Sequence, residues 1–338
     1  MSEHIPVTQK DIAERLGISV MTVSRALSDK GPVNAELKDK IVQTAKELGY
    51  KTNPLVSSLM RCRSQRRNPN NPVNIGWFGV SRKKNSEDSE HLHSYDPYLE
   101  YFRGAKKTCE QNGYKLDVFG DDVYTSKGLI DTLKARGMLG VILGPKDTSR
   151  PWILEESYPL HVVQIGRSRN WKQFDRIVSD SFLAMRTCVR ALREQGATRI
   201  GYIDNLAHVS RNEGRWEASF GYETRDIQGS LLLTRGKATL ETSIREFMER
   251  FQPEALVIGG NAPMKVILSL SSPPPFVAIN RNGLPDWISG SEPPHHDIGA
   301  EAARRLIDAI QGPQQVRLIG HSVSLSENWH EGSSHVLS

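Results

Sequence analysis

VTQKDIAERLGISVMTVSRALSDKGPVNAELKDKIVQTAKELGY, Val7 to Tyr50, decides how the N-terminal end of this chain folds. Thr8 followed by Asp11 has the spacing of a capping box, with Asp in the place usually held by Glu. Ile12, Ala13 and Leu16 make an apolar stripe, and Gly17 supplies a C-terminal stop. Ser19 is placed to cap a second helix whose inward residues are Val23, Ala26 and Leu27. Asp29 to Pro32 is turn chemistry. Asn34 then caps a third helix with Leu37, Ile41, Ala45 and Leu48 on its apolar face, ended by Gly49. Two short helices joined by a tight glycine turn, with a third completing a small core, make a helix-turn-helix module.

The second helix carries the chemistry. With Val23, Ala26 and Leu27 inside, Val20, Met21, Thr22, Ser24 and Arg25 are left outside. Two large apolar residues at an exposed helix start do not suit a solvated face, but they do suit an N-terminal end that enters a DNA major groove. There Arg25 can donate two hydrogen bonds to guanine, and Val20 and Met21 can touch a thymine methyl. Ser19, Thr22 and Ser24 offer hydroxyls to phosphates, which position the protein without reading sequence.

Charge is distributed unevenly. Of the 338 residues, 1–68 hold 12 Lys and Arg against 7 Asp and Glu, while the remainder is balanced at 32 against 32. The excess fits either a basic solvated head or an electrostatic footprint for nucleic acid. Composition is otherwise ordinary, with 38% hydrophobic and 25% charged residues. No run reaches the roughly 18 apolar residues of a membrane span, and the N-terminus has no secretory core. Three cysteines without a CxxC suit a reducing compartment. A cytoplasmic protein with no membrane partner is expected.

Beyond the head stands NPLVSSLMRCRSQRRNP, Asn53 to Pro69, which sets a short apolar turn against four arginines. It is too short for a stable isolated helix and too apolar at its start for a plain tether. From Pro72 the pattern becomes alternating strands and helices. Candidate strands are 73–80, 115–120, 140–145, 160–166, 198–204, 253–260 and 274–280. That alternation implies α/β architecture with parallel sheets in a doubly wound arrangement. The expected domains are residues 1–52, a hinge and linker at 53–71, and a core at 72–338.

The stretch 7–50, above all GISVMTVSRAL and the closing LGY, resembles the DNA-binding head of the LacI/GalR family of bacterial transcription regulators. Three core stretches resemble the same family's two-lobed, periplasmic-binding-protein-like core, in the right order: YFRGAKKTCEQNGY, VSDSFLAMRTCVRALREQGATRIGYI and IGAEAARRLIDAI. The resemblance implies backbone contacts from Thr8, Ser19, Thr22, Ser24 and Tyr50, with Val20, Met21 and Arg25 at base-reading positions. It also implies that the segment after LGY becomes a short helix on DNA. Asn53 is a suitable N-cap for it and Pro54 a suitable first residue, and Leu59 matches a leucine that wedges into the minor groove. Ser57 and Met60 depart from the family pattern there. Arg61, Arg63, Arg66 and Arg67 are either phosphate contacts or a solvated linker.

For the core, the resemblance implies three chain crossings between lobes and a small effector in the cleft, often a sugar, sugar phosphate or purine. Arg215, in RWEASF, aligns with an effector-contacting arginine usually seen in R-x-x-G-F. Asn280 falls where many members have aspartate, and Asp180 is a further candidate. The implied protein is a homodimeric repressor of a palindromic operator in double-stranded DNA, controlled by a small molecule, a carbohydrate or related metabolite. A regulator with a vestigial cleft and a small-molecule-binding component of transport are the alternatives. Enzyme motifs are missing: there is no GxGxxG after a strand, no P-loop and no GxSxG elbow. HEGSSH at 330–335 is one residue too long for a metal-binding HExxH. His295 and His296 read as part of a Pro-rich loop. Neither catalysis, nor a cofactor, nor a metal is expected.

Overall fold

The computed structural model describes residues 7–27, 34–48, 50, 73–78, 95–119, 126–145, 160–167, 174–235, 239–312 and 320–336. The chain divides into two units, Met1–Pro69 and Asn70–Ser338.

In the first unit, helices α1 (Gln9–Leu16), α2 (Val20–Leu27) and α3 (Ala35–Glu47) follow the capping residues. The Thr8 N–H and hydroxyl both donate to the Asp11 carboxylate, at 2.6 and 2.8 Å. These bonds hold the Asp11 carboxyl below its usual range. Gly17 takes φ 63°, a left-handed turn that glycine adopts without a steric penalty, and the next N–H, of Ile18, reaches back to the Ala13 carbonyl. Asn34 accepts a hydrogen bond from the Glu36 N–H at 3.0 Å. Ile12, Val23 and Ile41 are fully buried where the three helices meet, with Ala13, Ala26 and Ala45 between them.

The second unit has two lobes. Lobe 1 carries a sheet in the order β11-β5-β4-β3-β1-β2, all parallel. Its strands are β1 (Val73–Phe78), β2 (Tyr114–Phe119), β3 (Gly140–Leu143), β4 (His161–Ile165), β5 (Asp175–Ser179) and β11 (Ser322–Leu325). Lobe 2 carries β12-β10-β9-β8-β6-β7, parallel except for β12 against β10. These strands are β6 (Arg199–Asn205), β7 (Gln228–Thr234), β8 (Ala255–Gly259), β9 (Phe276–Ile279), β10 (Gly290–Glu292) and β12 (Asn328–His330). Strand side chains alternate between faces, so each sheet has two apolar layers. In lobe 1, Ile75, Trp77, Ile142 and Val163 face one way, and Phe78, Val141, Leu143 and Val162 face the other. The expected doubly wound core is therefore present.

Helix α4 (Pro97–Gln111) starts at Asp96, whose carboxylate accepts from the Tyr98 N–H, with Pro97 at the first position. It packs under the lobe 1 sheet with α11 (His295–Gln311). On the opposite face lies α5 (Ser126–Ala135), through Leu133. Lobe 2 is covered by α6 (Ser181–Glu194) and α8 (Arg215–Glu223) on one face. The other face takes α9 (Leu240–Phe251) and α10 (Asn261–Leu268). The short α7 (Leu206–Asn212) follows β6. The chain crosses between lobes after β5, after β10 and after β11.

The structure corrects one expectation. His295 and His296 do not sit in a loop; they open α11, because Pro293 and Pro294 end the preceding segment and leave a suitable helix start. The seven expected strands appear, with ends shifted by a residue or two. Strands β5, β7, β10, β11 and β12 were not anticipated. Among the described residues no helix is long and apolar enough to cross a membrane.

Helices α4 and α11 touch backbone to backbone. A Cβ on Gly104 would fall 1.8 Å from the His296 carbonyl oxygen, and one on Gly299 would fall 1.9 Å from that of Tyr101. Gly299→Ala is therefore expected to destabilise the protein by about 1–3 kcal/mol, the usual cost of overpacking. Gly221→Ala, at a helical position with open space around it, should be neutral or mildly stabilising. Denaturant melts of the two variants check this, and equal losses would contradict it.

Candidate functional site

The surface of the head that the sequence singles out is the start of α2. The Ser19 hydroxyl accepts the Thr22 N–H at 3.1 Å and shares a 2.9 Å hydrogen bond with the Thr22 hydroxyl. That cap leaves Val20 at 45% and Met21 at 64% exposure, both large apolar side chains offered to solvent. Arg25 is exposed one turn further on, while Thr22 and Ser24 are half-buried. Val23 and Ala26 are buried on the opposite side. Tyr50 is half-buried against the head core, and its N–H donates to the Ala45 carbonyl at 2.9 Å. Thr8 is exposed, and its hydroxyl is held by Asp11. The proposed hinge contacts Asn53 and Leu59 lie outside the described residues.

The second site lies at the C-terminal ends of the parallel strands, where open α/β sheets form crevices. Asp204, at the end of β6, is fully buried. Its carboxylate accepts hydrogen bonds from the Tyr202 hydroxyl and the Asn205 N–H and meets His208 Nδ1, each at 2.6 Å. Burial raises the neighbouring Glu217 carboxyl above its ordinary value. Trp216 Nε1 and Asn212 Nδ2 are buried without a hydrogen-bond partner among the described residues, which native interiors seldom tolerate. Arg215, at the first position of α8, lies 3.8 Å from Glu213. That glutamate also meets two arginines of lobe 1, Arg167 at 3.4 Å and Arg176 at 3.7 Å.

Asn280 and Asp180 have other partners. Asn280 is exposed just beyond β9 in a left-handed conformation, φ 64°, and its N–H donates to the Ser291 hydroxyl. Asp180 caps α6 through the Leu183 N–H, and its own N–H donates to the Leu325 carbonyl. Arg167, Arg176, Glu213, Asp204, His208 and Glu217 were not singled out from the sequence. A signal was present for Arg167 and Asp204: each is a charged residue at the end of an apolar strand run. Both HEGSSH histidines tie the C-terminal segment to lobe 2, His330 at the Asp286 carbonyl and His335 at the Ser289 hydroxyl, each at 2.8 Å.

Residues 8–53 match the family described as bacterial regulatory proteins, lacI family. The lacI-family match covers the head. Over the core, relatives are distant. The ribose operon repressor of Bacillus subtilis is 24% identical over 214 residues, covering 63% of this chain and 59% of that protein's length. The HTH-type transcriptional regulator KdgR of the same organism is 24% identical over 345 residues, covering 92% and 94%. The lac repressor dimer, solved bound to operator and an anti-inducer, superposes with a TM-score of 0.58 at 18% identity, covering 99% of this chain and 100% of that one. The shared fold is thus a lacI-type head followed by a two-lobed α/β core. Regulators of this type are DNA-binding proteins, not enzymes.

In the two-lobed core a carboxyl group sits where the lobes join. Glu327 lies between β11 and β12, so it occupies the third crossing. Both of its carboxylate oxygens are sealed from solvent. Burial pushes its pKa up to about 7, eased by the Ser291 and Ser179 side chains and raised by the Asp180 charge. Unfolded, the group titrates near 4.5. Its folded value is the higher, so its protonated form contributes stability below pH 4.5 that is lost as pH rises through about 7. Glu327→Gln should therefore raise the melting temperature at pH 8 and change it little at pH 4.5. Thermal melts at the two pH values check this; an equal shift at both would show that the charge is not what costs stability.

Proposed function

We propose that this chain is a repressor that binds a palindromic operator as a homodimer and releases or grips it according to a small metabolite held between the lobes. The observation that carries the DNA half is the open N-terminal end of α2, where Val20, Met21 and Arg25 are exposed beside the Ser19 cap. An apolar pair next to a guanidinium has no reason to face water, but it fits the thymine methyl and guanine edge of a major groove. Ser19 at the cap of this helix and Thr22 and Ser24 within it, with Thr8 at the start of α1 and Tyr50 on the head core, take the phosphate role. In this reading residues 1–52 read DNA, 53–71 form the hinge and 72–338 form the sensing and dimerising core. Asn53 starts the hinge helix, and Leu59 wedges into the centre of the operator.

The cleft half rests on the side chains at the strand ends. Arg215 at a helix start, the buried donors of Trp216 and Asn212, and the exposed Asn280 suit a small polar ligand with several oxygens. Asp180 sits at a crossing, so its part is to set lobe orientation. A ligand changes DNA affinity only through its differential affinity for two lobe arrangements. The relatives named for a ribose operon and the lac repressor solved with an anti-inducer support a carbohydrate or a related metabolite. The cytoplasm is the compartment where such a protein meets DNA.

Arg25→Ala should weaken cognate operator binding by about 1–3 kcal/mol, the size of a bidentate base contact. Random-sequence DNA should lose far less. Fluorescence anisotropy on both duplexes checks this, and an equal loss would reassign Arg25 to phosphate. Wild-type affinity should also fall steeply with salt as phosphate counterions are released; a flat log–log plot would contradict DNA binding by the head.

A further inference from the structure

We infer that the cleft selects a small anionic metabolite, a phosphorylated sugar or a sugar acid, whose charged group replaces the Glu213 carboxylate among Arg167, Arg176 and Arg215. This rests on the cleft being the effector site proposed above and narrows the class of ligand it takes.

The argument begins with charge. Among the described residues Glu213 is the single carboxylate that the three guanidinium groups share, and none of them grips it closely: the separations are 3.4, 3.7 and 3.8 Å. A tight arginine–carboxylate pair is bidentate and nearer 2.8 Å. Among the described residues, one negative charge against three positive ones leaves the cluster under-neutralised. Its two lobe 1 members are poorly placed to be neutralised by water, because the side chains of Arg167 and Arg176 are only 9% and 14% exposed, whereas Glu213 and Arg215 stand open to the solvent at 43% and 45%. Burial and the positive charges of Arg215 and Arg176 pull the Arg167 pKa below its ordinary value, against the opposing effect of Glu213. A guanidinium held this way favours more anionic charge than one carboxylate supplies.

Backbone geometry supports the same reading. Glu213 sits at φ 59° and is followed by Gly214 at φ 71°. A non-glycine residue in the left-handed region is strained, and such strain collects at ligand clamps and switches. Here it falls on the residue that presents the internal carboxylate. The cluster also spans the lobes: Arg167 follows β4 and Arg176 lies on β5 in lobe 1, while Glu213 stands between α7 and α8 and Arg215 opens α8 in lobe 2. A phosphate or carboxylate taking the place of Glu213 would bind both lobes at once. It would free the strained glutamate and alter the relation of the lobes, which is the differential contact that a two-state switch requires. The hydroxylated remainder of the ligand would then meet the Trp216 and Asn212 donors, which have no hydrogen-bond partner among the described residues.

The test is a calorimetric titration and thermal-shift series on the full chain at constant ionic strength. The probes are ribose against ribose 5-phosphate, glucose against glucose 6-phosphate and gluconate, and inorganic phosphate alone. We expect at least one anion to bind about tenfold or more tighter than its neutral partner, as befits a charge-assisted contact. The phosphate and acid arms tell the two anion classes apart. Arg167→Gln should remove that preference. Glu213→Gln, which deletes the internal competitor, should strengthen binding of inorganic phosphate several-fold; a merely structural glutamate would give no such gain. A neutral sugar that binds as well as its anion, and remains unaffected by Arg167→Gln, overturns the anion assignment yet leaves the effector reading intact. If no anion, inorganic phosphate included, binds either wild type or Glu213→Gln, the assignment is also overturned. Operator release by a neutral sugar in that event would show that the broader reading survives.

Discussion

The contact between helices α4 and α11 is the constraint on which the core depends. Lobe 1 exposes an apolar face of Ile75, Trp77, Ile142 and Val163 that α4 alone does not cover. Ile298, Ala302, Ala303, Leu306 and Ile307 of α11 complete that layer, although α11 lies nearly two hundred residues further along the chain than α4. The helices approach so closely that Gly104 and Gly299 leave no room for a side chain. Strand β11 then closes the far edge of the same sheet beside β5. Lobe 1 is therefore complete only when lobe 2 has been threaded through it. Long-range contacts of this kind carry a large loop-closure cost before they return any stability.

The same threading makes the hinge. The Asp180 N–H at the first crossing binds the Leu325 carbonyl at the third. Ser291, which precedes the second crossing, receives the Asn280 N–H on its hydroxyl and also faces Glu327. The chain segments that join the lobes are thus bonded to one another, whereas each lobe is close-packed on both sheet faces. Close-packed bodies resist deformation, so lobe motion is expected to be rigid-body movement about this small joint. Asp180 belongs to that joint, because it caps α6 and anchors the end of β11.

The head was the most legible part of the chain, because its signals are local. Thr8, Gly17, Ser19 and Asn34 act within a few residues of themselves, and the apolar spacing named Ile12, Val23 and Ile41 as the core. Central strands were legible for a similar reason: β8 and β9 are continuous apolar runs buried on both faces. Strand β7 is an edge strand with mostly half-exposed or exposed positions, so its pattern does not separate from a loop. Strands β10 and β12 are three residues each, too short for any period to show. Of the arginine cluster, the sequence singled out only Arg215, and only by family resemblance. Its companions Arg167, Arg176 and Glu213 come from separate strands and turns, and nothing local in the sequence marks them as neighbours.

The two lobes each carry one sealed thiol. Cys109 lies in α4 beneath the lobe 1 sheet, and Cys188 lies in α6 against the lobe 2 sheet; both are fully buried. Burial pushes each pKa up to about 12, so neither supplies the thiolate that alkylating reagents attack. Each becomes reactive only when its own lobe opens. Nature has thereby placed an internal reporter in each half of the core, and the order in which the two sulfurs become labelled under mild denaturant records which lobe yields first.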